Sequence, residues 1–269
     1  MKIKIYGSRG SIPLSGSTHT IFGGNSSCTV LDIDGQFIVL DCGSGLIRFY
    51  EENKERFTTG LKLNILLSHL HLDHIIGFSM FPPILSPDSD INIYTRSRNE
   101  QPLKSQVFGV FKPPYWPIEI AKITKAKVTE LVDEKPFLLE KDISVTPFFT
   151  ELHDKSTAFR IDAGKSVVYL LDYEMQENED KKDKLIRFCE NADLIIFDAS
   201  YLPEDYPKRR GWGHSTPDDG IILAEASGCK KMIFSHLSQE YTDDVLTGQR
   251  EKLDAARYLI AYDGMEMEI

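Results

Sequence analysis

The run His69-Leu70-His71-Leu72-Asp73-His74 puts four metal-binding side chains into six consecutive residues. It follows the apolar stretch 63–67, which reads as a buried strand. A metal ion needs several nitrogen and oxygen donors converging within a few ångströms. A strand end that turns into a loop can aim His69, His71, Asp73 and His74 inward together, while Leu70 and Leu72 point the other way and pack. The plain alternative is a chance histidine cluster on a surface loop, and known metal-site spacings speak against it.

Around this run the first half of the chain is rich in β patterns. Residues 2–6 alternate, and 27–33 and 36–40 flank Asp34-Gly35, a strong hairpin signal. A helix is predicted after Asp41-Cys42-Gly43-Ser44-Gly45. In the second half, 158–162 and 166–171 form a hairpin across Ala163-Gly164-Lys165. Residues 194–197 and 232–235 are short continuous apolar runs of buried-strand type. Helices are predicted over 180–191, 217–227 and 243–258, with Pro217 suited to a first turn and Gly228 to a helix stop. Asp263-Gly264 precedes a last strand, 265–269. This order predicts an α/β fold over 1–269 as one domain, two packed sheets with helices outside. The stretch 96–135 is least regular. Its Lys112-Pro113-Pro114-Tyr115-Trp116-Pro117 segment cannot be a helix interior, so it is a surface loop or a lid.

The 269 residues are 41% hydrophobic and 27% charged, enough for a sizeable core. The net charge of -10 argues against a protein living on nucleic acid, though a local basic groove is compatible with it. The N-terminal stretch is not apolar enough for a signal peptide, and no other stretch reads as a membrane span. Cys28, Cys42, Cys189 and Cys229 form no C-x-x-C pair and read as reduced, buried thiols of a cytoplasmic protein.

The H-x-H-x-D-H run resembles the signature of the metallo-β-lactamase superfamily, whose fold is a four-layer αββα sandwich. The resemblance extends to Gly7-Ser8-Arg9-Gly10-Ser11-Ile12-Pro13, Gly23-Gly24-Asn25-Ser26-Ser27-Cys28 and Asp41-Cys42-Gly43-Ser44-Gly45. These look like the opening blocks of a bacterial branch near RNase Z, the transfer-RNA 3′-processing endonuclease, and near cyclic-nucleotide phosphodiesterases. The similarity runs from the N-terminus to the last strand and is weakest over 96–135.

The resemblance implies three further ligands in the order His, Asp, His. The candidates are His153, Asp172 and His236, each beside an apolar strand. It divides the set between two divalent ions: His69, His71 and His153 on the first, Asp73, His74 and His236 on the second, and Asp172 bridging. Zn²⁺ suits such imidazole-rich sites, and Mn²⁺ or Fe²⁺ are compatible. Two such ions make hydroxide available at neutral pH. His71, where the di-iron oxygen-reducing branch has Glu, points to hydrolysis. Asp41 would orient a ligand histidine or simply cap a turn. His214, in Gly213-His214-Ser215-Thr216, matches the His-Ser-Thr of RNase Z-like enzymes, with Asp198 as its supporting acid where the endonuclease usually has Glu. Such a histidine contacts the phosphate or protonates the departing alkoxide. His19 lies outside the set. Arg9 and Asn25 are candidate substrate contacts.

The implied function is a dinuclear metal-dependent hydrolase, with His214, Asp198 and Asp73 as catalytic residues. Its substrate is expected to be a small phosphodiester such as a cyclic nucleotide, because the chain is acidic and has no recognisable arm for docking transfer RNA. A homodimer is compatible with the branch. Two rivals are lactone or thioester hydrolysis on the same metals, which would not need His214, and a metal-stabilised accessory protein without turnover.

Overall fold

The computed structural model describes residues 1–58, 60, 62–150, 156–175 and 179–269, the side chains of 179 and 180 excepted. The first sheet is built from β1 (Lys2–Gly7), β2 (Cys28–Ile33), β3 (Gln36–Leu40), β4 (Lys62–Leu66), β5 (Asp90–Thr95) and β6 (Lys127–Glu130). The second is built from β7 (Phe137–Glu140), β8 (Ile143–Phe149), β9 (Thr157–Asp162), β10 (Ser166–Leu170), β11 (Leu194–Asp198), β12 (Lys231–Ser235) and β13 (Tyr258–Ile260). The last strand, β14 (Glu266–Glu268), returns to the first sheet beside β1. In both sheets, hairpin-linked antiparallel strands give way to parallel ones: β3-β4-β5-β6 in the first and β10-β11-β12-β13 in the second.

Strand alternation explains the layers. Leu194 and Ile196 point into the core between the sheets with Ile5, Leu31, Ile38, Leu40 and Leu66. Ile195 and Phe197 point the other way, against the side of the helices α5 (Glu179–Phe188) and α6 (Pro217–Ser227). Both faces are covered, so these strands read as continuous apolar runs. On the outside of the first sheet, Phe49 of α1 (Gly45–Thr58) joins Val30, Val39 and Ile65 in a third core. Helix, sheet, sheet, helix is the four-layer sandwich expected from the sequence.

Most elements lie where the sequence placed them. Asp34 and Gly35 both take left-handed backbone (φ 50° and 86°) in the β2–β3 turn, as a two-residue hairpin demands. Helix α6 starts at Pro217 under a Thr216 capping box and stops at Gly228 with φ 69°. Two expectations fail. The predicted 243–258 helix ends at Arg250, as α7 (Asp243–Arg250), and Tyr258 begins β13. Past Arg250 the bonding tightens to turns, Lys252 N to the Gln249 carbonyl and Leu253 N to the Arg250 carbonyl, and the Asp254 side chain then accepts from Ala256 N. Leu72 does not pack; it is 54% exposed, because a short helix α2 (Leu72–Ile75) starts inside the motif and turns it outward. The stretch 96–135 holds two short helices, α3 (Leu103–Val107) and α4 (Ile120–Ile123), with Trp116 packed on the first-sheet core. The described helices include none long and apolar enough to cross a membrane.

Candidate metal centre

The strand ends converge at one end of the sandwich. His69 follows β4 and is buried, with Nδ1 3.1 Å from Ser68 Oγ. His71 is exposed, its ring 4.3 Å from that of His69. Helix α2 turns Asp73 and His74 back inward, and both are buried. Asp172, two residues past β10, and His236, one past β12, are buried as well. Donor atoms of His69, His71 and Asp172 lie within 4.8 Å of one another, as do those of Asp73, His74 and His236. Six of the seven ligand candidates therefore meet, and Asp172 stands between the groups: Oδ1 is 3.5 Å from His69 Nε2 and Oδ2 is 3.0 Å from His74 Nε2. His153 lies outside the described residues.

The surrounding hydrogen bonds decide which ring nitrogens face the centre. Asp41, entirely buried after β3, accepts from Ser68 N, Ser68 Oγ, Tyr169 Oη and His74 Nδ1 at 2.7–2.9 Å. Ser200 Oγ lies 2.7 Å from the His236 carbonyl and 2.8 Å from His236 Nδ1, so it donates to the former and accepts from the latter. Holding both Nδ1 protons outward leaves the Nε2 atoms of His74 and His236 3.2 Å apart. Both face Asp73 Oδ2 at 3.2 Å. Asp172 Oδ2 and His69 Nε2 are buried without a hydrogen bond of proper geometry. Lone pairs converging on carboxylates require cations. Burial lowers the His74 pKa, yet Asp73, Asp172 and Asp41 reverse this and raise it well above normal; protons would otherwise answer that demand. At His69 burial outweighs Asp172 and, with His74 and His71 adding to it, holds the pKa well below normal. The donor set thus fits divalent metal ions.

Beside the cluster, His214 Nδ1 donates to Asp198 Oδ2 over 2.8 Å. The His214 ring stacks on His236 at 4.9 Å. Burial opposes its charge, but Asp198 outweighs it and raises the pKa to about 9. Asp198 is fully buried and also accepts from Asp172 N (2.8 Å) and Ser200 N (3.0 Å). One carboxylate therefore orients both His214 and the loop of Asp172.

Some roles were not legible in the residues alone. Ser11 N donates to Asp73 Oδ2 at 2.7 Å, and a Cβ on Gly10 would stand 2.2 Å from the His236 ring. Both belong to the Gly7–Pro13 block that carried the resemblance, which was their only signal. Arg9 is not a substrate contact. It is fully buried and donates to the carbonyls of Gly23, Ser238 and Tyr241. Asn25 accepts from Ser44 Oγ within the same packing. A polar cavity of about 330 Å³ opens beside Leu70, lined by Arg98, Gln106, Lys112 and Glu119. A larger one, about 580 Å³, lies away from the centre, where Lys4 pairs with Glu52 and Glu266.

Residues 37–237 match the model of the beta-lactamase superfamily domain. The chain belongs to the beta-lactamase superfamily. Within the superfamily it falls in the RNase Z-like branch of metal-dependent hydrolases. Ribonuclease Z of Halorubrum lacusprofundi is 22% identical over 318 aligned positions, covering 100% of this chain and 97% of the relative. Ribonuclease Z of Natronomonas pharaonis is 22% identical, covering 95% and 92%. Among solved structures, the fold resembles the metallo-beta-lactamase fold protein YhfI from Bacillus subtilis (TM-score 0.74, 20% identity, 99% of each chain). It also resembles a diphosphatase of the PhnP family (0.72, 19%, 100% and 97%) and the short form of human tRNase Z (0.70, 22%, 100% and 99%).

Proposed function

We propose that this protein is a dinuclear metal-dependent phosphodiesterase acting on a small phosphodiester such as a cyclic nucleotide. The observation that carries this reading is the His214–Asp198 pair at 2.8 Å, set against the metal-binding cluster. Lactone or thioester cleavage would leave that pair without a task. Relatives named for ribonuclease and diphosphatase activities, both phosphoryl chemistries, support it.

In this proposal His69, His71 and His153 hold one divalent ion, and Asp73, His74 and His236 hold the other, with Asp172 shared. Zn²⁺ is the first candidate, from the imidazole-rich donors. When bound, such ions polarise phosphate oxygens and lower the pKa of water. The chain's own residues do the rest. Asp41 and Ser200 hold His74 and His236 in the tautomer that presents Nε2. Asp198 holds His214 with Nδ1 protonated, leaving Nε2–H to hand a proton to the departing alkoxide. Because donors come from both sheets, residues 1–269 act as one domain. The four buried thiols fit a cytoplasmic location.

The relatives' name supports a second reading, cleavage at the 3′ side of transfer RNA. Against it, the 318 aligned positions exceed the 269 residues of this chain, so the Halorubrum enzyme carries stretches this chain lacks. The test is a screen of metal-loaded protein against cyclic nucleotides, bis(4-nitrophenyl) phosphate, precursor transfer RNA, lactones and thioesters. Diester turnover is expected. Lactone or thioester turnover that survives His214→Ala would overturn the proposal.

A further inference from the structure

Trp212 stands in the loop that delivers His214, and the residue is 62% exposed. Nothing in the folding of the chain calls for an indole there. The loop is nonetheless built to hold it still. Gly211 and Gly213, on either side, take left-handed backbone (φ 86° and 93°) that favours glycine. Their two N–H groups donate to the carboxylate of Glu174, at 2.7 and 3.0 Å, and Tyr206 Oη donates to it at 2.7 Å. Glu174 is itself buried, two residues past Asp172. Tyr201 packs edge-on against both Trp212 (6.4 Å) and His214 (5.6 Å). The Arg209 guanidinium lies 5.0 Å from the Tyr201 ring and is tied to Glu240, which braces the assembly from behind.

A buried carboxylate, two constrained glycines and a tyrosine thus fix the backbone that carries an exposed indole, its Cα no more than about 7 Å from that of His214. We propose that Trp212 is the stacking platform for a nucleobase carried on the leaving side of the substrate. An exposed ring carried on a constrained backbone and edged by Tyr201 loses little ordering entropy when a flat π-system settles on it, and it accepts any base. The leaving side follows from His214, the group that meets the departing oxygen. The inference rests on the phosphodiesterase reading and narrows its substrate class to nucleotides.

Trp116 and Trp212 are the only tryptophans. Metal-loaded Trp116→Phe protein therefore reports on Trp212 alone. Adenosine 5′-monophosphate should quench its fluorescence, and inorganic phosphate should not. Calorimetry should show Trp212→Ala binding adenosine monophosphate roughly 5- to 100-fold more weakly than wild type, with Trp212→Phe recovering most of the loss. Unchanged affinity in Trp212→Ala, no binding by wild type at millimolar nucleotide, or equal quenching by phosphate would each overturn the platform. Turnover of bis(4-nitrophenyl) phosphate by wild type tests the underlying reading separately. Nucleotide affinity that depends on Trp212 without any diester turnover would keep the platform and sink the phosphodiesterase.

Discussion

The two sheets supply the centre in opposite ways. The first sheet delivers His69, His71, Asp73 and His74 from a single turn of chain after β4, so the donors are neighbours by covalent connection. The second delivers Asp172, Asp198 and His236 from three separate strands. Parallel pairing sets Leu170, Phe197 and Phe234 level, so the residues that follow reach the same edge together. Asp172 and His236 then both adopt left-handed backbone (φ 50° and 58°), as does Asp41 after β3 (φ 59°). Such conformations cost non-glycine residues about 1–3 kcal/mol each and persist only where the surroundings over-determine them. Here the surroundings are Asp198 on Asp172 N and Ser200 on the His236 carbonyl. A local cluster thus needs few supports, and a dispersed one needs a register and a hydrogen-bond frame.

That contrast can be broken from its strongest side. Asp73→Ala should take hydrolysis to background and reduce metal from two equivalents to one, because the locally supplied carboxylate has no substitute. Circular dichroism should stay near wild type, since no core strand depends on Asp73. Turnover at saturating metal would contradict the assignment, and a wild-type maximum of one equivalent by elemental analysis would remove the dinuclear site.

His214→Ala probes the dispersed side. Diester turnover should fall roughly 10²-fold or more, the scale for a positioned proton donor. Metal content should hold at two equivalents, although His214 lies close enough to Asp172 and His236 to be tested as a ligand. The loss should shrink for a nitrophenyl leaving group, which needs no proton. Equal loss on both substrates would make His214 a phosphate binder. From sequence, Asp198→Asn should act in the same direction but more mildly. The structure changes that, because Asp198 also holds the Asp172 and Ser200 backbone, and stability should fall too, by about 1–3 kcal/mol.

Gly10→Ala sharpens the comparison without replacing a ligand. The new methyl would displace the His236 ring, so affinity for the second metal should drop about 10- to 100-fold, read by metal titration. Full occupancy at wild-type affinity would show that the ring has room to move. Thr216→Ala should cost about 1 kcal/mol through the lost helix cap, lowering Tm by about 2–4 °C. A much larger fall in activity than in Tm would reveal a role beyond capping.

The opposite ends of β10–β12 provide the control. There Asp193 meets Lys165 and Lys230. Burial opposes the charge, but Lys230 and Ser166 N outweigh it and pull the carboxyl down to about 2. A depressed carboxyl stabilises the fold above its unfolded pKa, about 3.9, and that contribution is lost as pH falls toward 2. Asp193→Asn should flatten this acid limb of thermal stability while leaving metal content and turnover as they were. An unchanged acid limb would show that the pair is idle.

The sequence by itself determined the local features. Apolar runs, Asp34-Gly35, Pro217 and Gly228 marked elements whose causes lie within a few residues, and the His69–His74 run announced its chemistry by spacing alone. It determined much less of what pairing creates. Residue spacing did not place Tyr169 on Asp41, Ser11 N on Asp73 or Ser200 on His236. Arg9 looked available for substrate until packing closed over it. Leu72 looked buried by alternation until a helical turn exposed it. A helix that propensity would have carried on to Tyr258 closed in tight turns after Arg250. Tertiary structure decided these because a hydrogen bond between residues far apart in the chain depends on strand register and layer packing, and neither leaves a signal at the positions themselves.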